Sequence, residues 1–101
     1  MNIAPLSQRV QAKVGITGQV RMALGCCREL TAALHEVFVN GRGAPADVAH
    51  AIAGVEIMCA QLRDIVGHAK VDLETAERLH TLQGWIADLE ENDAAQSVKR
   101  T

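Results

Sequence analysis

The sequence contains few aromatic residues, few prolines and few cysteines, and each shortage argues against a class of protein. Among the 101 residues there is one Phe, one Trp and no Tyr, so the core must be aliphatic. Only two prolines, Pro5 and Pro45, could interrupt a helix. This aliphatic composition therefore favours helices over a β-sandwich. An odd number of cysteines, with Cys26 and Cys27 adjacent, argues against a disulfide framework.

Charge and hydropathy argue against nucleic-acid-binding, membrane-spanning and secreted proteins. A formal net charge of −2 provides no basic field for nucleic acid. Charged residues interrupt the long apolar runs, so no membrane span is expected. The polar N-terminus lacks the apolar segment of a signal peptide. We therefore expect one small domain, residues 1–101, in the cytoplasm.

The spacing of apolar residues predicts an all-α bundle of three main helices. The first runs from Gln19 to the turn at Asn40, the second from Pro45 to Gly67, and the third starts at an N-cap near Asp72. The first helix is apolar on two sides, which is typical of a helix shared between subunits. Its first arc comprises Val20, Leu24, Cys27, Thr31, Leu34 and Phe38. Its second arc comprises Met22, Cys26, Leu30, Ala33 and Val37.

Both ends of the chain are harder to assign. Residues 1–14 contain apolar positions four apart, which predicts a short N-terminal helix as a fourth element. Gly15 and Gly18 should break or bend the chain after it. Residues 91–101 are polar, and we expect a flexible tail there.

Two stretches carry a resemblance to a known family. Val14-Gly15 and Gln19 precede the segment ALGCCRELTAAL, and residues 50–62 read HAIAGVEIMCAQL. In their spacing both stretches resemble the MazG-like, all-α nucleotide pyrophosphohydrolases, in particular small phage-type members. The resemblance covers roughly residues 14–90. It implies two antiparallel helices that meet around a metal site, assembled into a dimer or a dimer of dimers.

The acidic residues of that family are mostly absent here. Relatives carry two acidic pairs, each spaced three residues apart on facing helices, and these hold Mg²⁺ or Mn²⁺. By the resemblance, the first pair falls on Cys26 and Glu29 and the second on Ala51 and Gly54. Two further acidic positions fall on a glycine and on His50. Because only Glu29 is retained, we expect metal-dependent hydrolysis to be lost.

The remaining polar side chains predict a ligand site. Arginine binds phosphate through its planar fork, although charged helix residues are as often simply solvated. If any residue is catalytic, it is Glu29. No metal cofactor is expected; a zinc site formed by Cys26, Glu29 and His50 is the alternative. The predicted ligand-binding residues are Arg21, Arg28, Glu29, His50, Arg78 and His80.

The leading hypothesis is a catalytically impaired MazG-like protein that binds or sequesters a nucleotide or a nucleotide-derived signal. A phage counter-defence factor is one version of it, by analogy. The first alternative is an active Mg²⁺-dependent nucleoside triphosphate pyrophosphohydrolase, whose rearranged site uses Glu29 and His50 with Asp47 or Glu36. The second alternative is a protein–protein interaction module.

Overall fold

A computed structural model describes residues 4–100, with side chains from Leu6 to Val98, and this part of the chain is helical. The elements in order are α1 (Ala4–Leu34), a π-helical turn (His35–Val39), α2 (Pro45–Val66) and α3 (His68–Arg100). No strand occurs within the described range. The predicted all-α class with three main helices is confirmed. The chain divides into two compact units, residues 1–67 and residues 68–101.

Helix α1 is interrupted at Gly15. This residue has φ 70° and ψ 175°, a conformation that is essentially restricted to glycine. Two helical segments result, residues 4–14 and residues 16–34, so the predicted N-terminal helix and the predicted break at Gly15 are confirmed. Gly18 is needed for a different reason, because a Cβ atom there would lie 2.6 Å from the Cβ atom of Val14.

A tight turn reverses the chain between α1 and α2. Gly41 adopts a left-handed φ of 67°, as the predicted cap requires. The N–H of Asn40 donates to the His35 carbonyl at 2.9 Å, which ends the π-helical turn. Pro45 then occupies the first turn of α2, where its missing N–H costs nothing. The turn predicted at Asn40–Gly41 and the start of α2 at Pro45 are therefore confirmed.

The two helices of the first unit pack antiparallel along a seam. Gln19 lies opposite Gln61 and Glu29 lies opposite His50, so the two helices run in opposite directions. Heptad-like spacing brings most of the second arc of α1 to this seam, whereas Met22 at its start is 46% exposed. Its buried apolar residues are Ala23, Val48, Ala51 and Met58, and half-buried contributors from α1 are Cys26, Leu30, Ala33 and Val37. The first arc of α1 stays exposed.

A buried amide pair ties three helical pieces together. Gln19 is 0% exposed, and its Nε2 donates to Gln61 Oε1 at 3.1 Å and to the carbonyl oxygen of Ser7 at 3.3 Å. The N-terminal segment is thereby held against both helices of the hairpin. Gln19 and Gln61 are two of the positions that carry the family resemblance. Their role in this chain is structural.

Helix α3 is longer than the sequence predicts. It begins at His68, directly after Gly67, rather than at an N-cap near Asp72. It also continues to Arg100, through most of the segment 91–101 that was expected to be a flexible tail. Residues 91–100 contain no glycine or proline and are rich in good helix formers, which accounts for the extension. Four large apolar side chains at helical spacing on α3 are exposed: Leu79, Leu82, Ile86 and Leu89.

The packing beside Gly18 predicts opposite effects of two similar substitutions. Gly25→Ala should stabilise the chain by about 0.5–1 kcal/mol, because no heavy atom lies within 4 Å of the added methyl group and alanine is the better helix former. Gly18→Ala should destabilise it, because the methyl group would collide with Val14. Urea unfolding followed by circular dichroism measures both changes. Equal stabilisation by the two substitutions would contradict the packing of residues 4–14 described above.

Candidate functional site

The positions that match the family's acidic pairs meet across the seam between α1 and α2. A Cβ atom on Gly54 would lie 3.5 Å from the Sγ atom of Cys26, which is an ordinary packing contact. Ala51, one turn before Gly54, is 1% exposed. Small side chains therefore fill the space to which the resemblance assigns carboxylates.

Glu29 and His50 flank this contact on its solvent side. Glu29 Oε1 lies 3.5 Å from His50 Nε2, and the two side chains are 54% and 81% exposed. A pair this exposed is largely screened by water and contributes little to stability. Both groups are therefore accessible to a ligand that approaches this side of the hairpin.

The arrangement provides few donors for a metal ion. Alanine and glycine have no ligating side chain, and the thiol of Cys26 packs against Gly54. Across the part of the chain that the structure describes, no group of three or more His, Cys, Asp or Glu side chains is placed to hold a metal ion. The zinc alternative with Cys26, Glu29 and His50 thus gains no support from the geometry.

The predicted phosphate-binding arginines of α1 do not join Glu29 and His50. Arg28 follows Cys26 by two residues, and at about 100° per residue this places it on the side of α1 that faces away from α2. Arg21 lies two turns earlier on that same side, and both side chains are exposed. The structure therefore separates the predicted ligand residues of the first unit into two groups.

The predicted ligand residues of α3 also diverge. Arg78 and His80 are two residues apart, so they point to nearly opposite sides of their helix. Arg78 lines a shallow groove formed by side chains of α3 alone. The other residues of that groove are Glu74, Glu77, Thr81, Leu82 and Trp85.

The acids proposed for a rearranged active site have structural partners. Glu36 Oε1 accepts a hydrogen bond from Asn40 Nδ2 at 2.9 Å, within the turn after α1. Asp47 Oδ2 accepts from the backbone N–H of Ala44 at 3.0 Å and so caps the start of α2. These contacts explain why acids stand at these two positions without any need for catalysis.

One surface feature was missed by the sequence reasoning. A groove lies along the N-terminal segment of α1, with apolar residues and two cations, Arg9 and Lys13. The signal was available, since residues 1–28 contain four Lys or Arg and no Asp or Glu. The other lining residues are Leu6, Val10, Ala12, Val14 and Met22.

Comparisons of the chain with protein-family models, with curated proteins and with solved structures found no match. Among the described residues, no helix combines the length and the apolar character needed to span a bilayer. The family resemblance therefore depends on the residues quoted above, and function has to be argued from the site itself.

Restoring the acidic pairs tests whether these positions form a metal cage. The triple substitution Cys26→Glu, Ala51→Glu and Gly54→Asp adds three carboxylates beside Glu29. We expect a lower melting temperature without metal, because like charges then crowd the seam, and a rise on adding Mn²⁺ or Mg²⁺. Differential scanning fluorimetry with and without chelator measures this.

The matched control is Cys26→Gln, Ala51→Gln and Gly54→Asn, which adds similar volume without charge. It should lose stability through overpacking and should not respond to metal. If the charged variant is as insensitive to Mn²⁺ as the control, these four positions do not form the family's cage.

Proposed function

We propose that this chain is a MazG-like helical protein that binds a nucleotide or a nucleotide-derived signal without hydrolysing it. The observation that carries this proposal is the packing of Cys26 against Gly54, at positions where relatives carry metal-binding acids. The buried methyl group of Ala51 completes the replacement. A divalent ion that would activate water has no set of carboxylates to hold it here.

The loss of carboxylates also changes what the site can bind. Several acids close together repel a polyphosphate unless metal ions bridge them. With only Glu29 retained from the pairs, a phosphorylated ligand can approach this side of the hairpin without a bridging ion. His50 is exposed and can donate a hydrogen bond to an anionic oxygen. Binding without turnover sequesters the ligand, which suits a phage counter-defence factor.

A nucleotide panel tests binding against hydrolysis. The melting temperature should rise by several degrees with at least one mono-, di-, tri- or cyclic nucleotide in the absence of Mg²⁺, because a ligand of the native state stabilises it. No release of pyrophosphate is expected when Mg²⁺ is added. Turnover that Glu29→Ala abolishes would reject the binding-only role and favour the rearranged enzyme.

An exposed apolar surface favours a second role, self-association. It consists of the first arc of α1 together with Ile52, Cys59 and Val66 of α2, and we term it the outer face. Its large apolar side chains are 40–71% exposed. Glu29 and His50 lie on one side of the seam. Cys27 and Ile52 each follow a seam residue by one position, so they lie on the opposite side of the seam.

We propose a second copy of this chain as the occupant of the outer face. The first arc of α1 repeats at alternating intervals of four and three residues. The residues that pack α1 onto α2 have the same spacing: Gln19, Ala23, Cys26, Leu30, Ala33 and Val37. Such a heptad seam fits another helix of the same pattern, and a twofold axis lets one surface serve both partners. A four-helix bundle of two hairpins would bury both outer faces.

Two leucines on the outer face provide the test. Leu24→Gln with Leu34→Gln should convert the dimer to a monomer in sedimentation velocity experiments, because two polar amides would be buried without partners. Ala32→Gln, an exposed position outside this arc, should leave the dimer intact. A wild-type monomer at about 100 µM, well above the Kd of a micromolar dimer, would argue against self-association and for a different protein partner.

A further inference from the structure

The groove on the N-terminal segment of α1 combines an apolar floor with a cationic rim. Leu6, Val14 and Met22 belong to its lining and are 46–49% exposed. Arg9 and Lys13 are one turn apart on the same helical segment, so their side chains are neighbours. The groove has a volume of about 470 Å³. This is within the range of about 300–1,000 Å³ that is usual for small-molecule sites, which are mostly apolar with a few polar groups.

The walls of the groove are held in place by the packing described above. Gly15 interrupts the helix so that the N-terminal segment folds back against the rest of α1, and the Gln19 amide donates to the carbonyl of Ser7. Ser7 itself is 1% exposed, so this segment is anchored on the side opposite to solvent. A groove whose walls are preformed loses little conformational entropy when a ligand binds.

The charge around the groove selects an anion. The first 28 residues contribute four cations and no acid, and two of these cations are on the groove. The Arg9 guanidinium can donate two parallel hydrogen bonds to one phosphate, and Lys13 adds a compact positive charge beside it. An anion without an apolar part would leave the floor of the groove unused.

We infer that this groove anchors the phosphorylated ligand, with Arg9 and Lys13 on the phosphate and the apolar floor against the nucleoside. This inference rests on the proposed function for the identity of the ligand. Met22 lies two turns before Glu29 on one side of α1, about 10 Å away along the axis. The groove therefore opens on the same side of the hairpin as Glu29 and His50. The arginines that the sequence favoured, Arg21 and Arg28, are on the other side of α1.

Two matched double variants of the full chain test the assignment. Arg9→Gln with Lys13→Gln and Arg21→Gln with Arg28→Gln each remove two positive charges from α1. Titration calorimetry without Mg²⁺, using the nucleotide that gives the largest thermal shift, should show at least about tenfold weaker binding for the first variant. The second variant should change the Kd by less than about threefold, because exposed distant charges are screened. Circular dichroism confirms that both variants keep their helices.

Binding of an apolar sulfonate dye, anilinonaphthalene sulfonate, distinguishes an error in the location of the site from an error in the class of ligand. If nucleotide binding is the same in both variants, the groove assignment is wrong and the proposed function stands. If the dye needs Arg9 and Lys13 but no nucleotide binds the wild type, the groove is an anion site and the proposed function is wrong. If neither the dye nor any nucleotide depends on Arg9 and Lys13, the inference is overturned.

Discussion

The hydrogen bond between Gln19 and Gln61 is the contact on which the unit of residues 1–67 depends. Both amides are buried, so a shift of α1 against α2 by one residue would break their hydrogen bond and take the Gln19 donor away from the buried Gln61 oxygen, at a cost of about 1–3 kcal/mol. The same shift would separate Cys26 from Gly54 and Glu29 from His50. One polar contact in an aliphatic seam thus sets the register of the whole candidate site.

The bond from Gln19 to the Ser7 carbonyl extends this constraint to the N-terminal segment. Gly15 supplies the backbone conformation that lets the segment fold back, and Gly18 provides the space. The groove with Arg9 and Lys13 therefore exists because of the same amide that sets the hairpin register. The seam and the groove are two consequences of one buried side chain.

Small side chains fill the seam at the positions that the resemblance assigns to acidic pairs. Ala51 is buried there and the Sγ atom of Cys26 lies beside Gly54. Carboxylates crowded into the same seam would repel one another without metal ions between them. Glu29 keeps a place at its rim, where His50 is a sufficient partner.

Much of the backbone could be predicted from the residues. Gly41 and Pro45 indicated the turn, Gly15 indicated the break in α1, and the periodicity of apolar residues indicated the helices. These features could be predicted because each depends on residues that are close together in the sequence. The start of α3 was predicted at Asp72, too far along the chain. A capping preference of about 1 kcal/mol did not prevent the helix from beginning directly after Gly67.

Local pattern could not decide which apolar arc of α1 would face α2. Both arcs are apolar at helical spacing, and the choice depends on the partner surface of α2 and on the pairing of Gln19 with Gln61, which are distant in the sequence. The sequence also grouped Arg21 and Arg28 with Glu29, although Arg28 follows the seam residue Cys26 by two positions and therefore lies on the side of α1 that faces away from α2. Composition and spacing by themselves determined an all-α chain with three main helices. Only the tertiary structure decided which side chains meet, because those contacts join residues up to 42 positions apart.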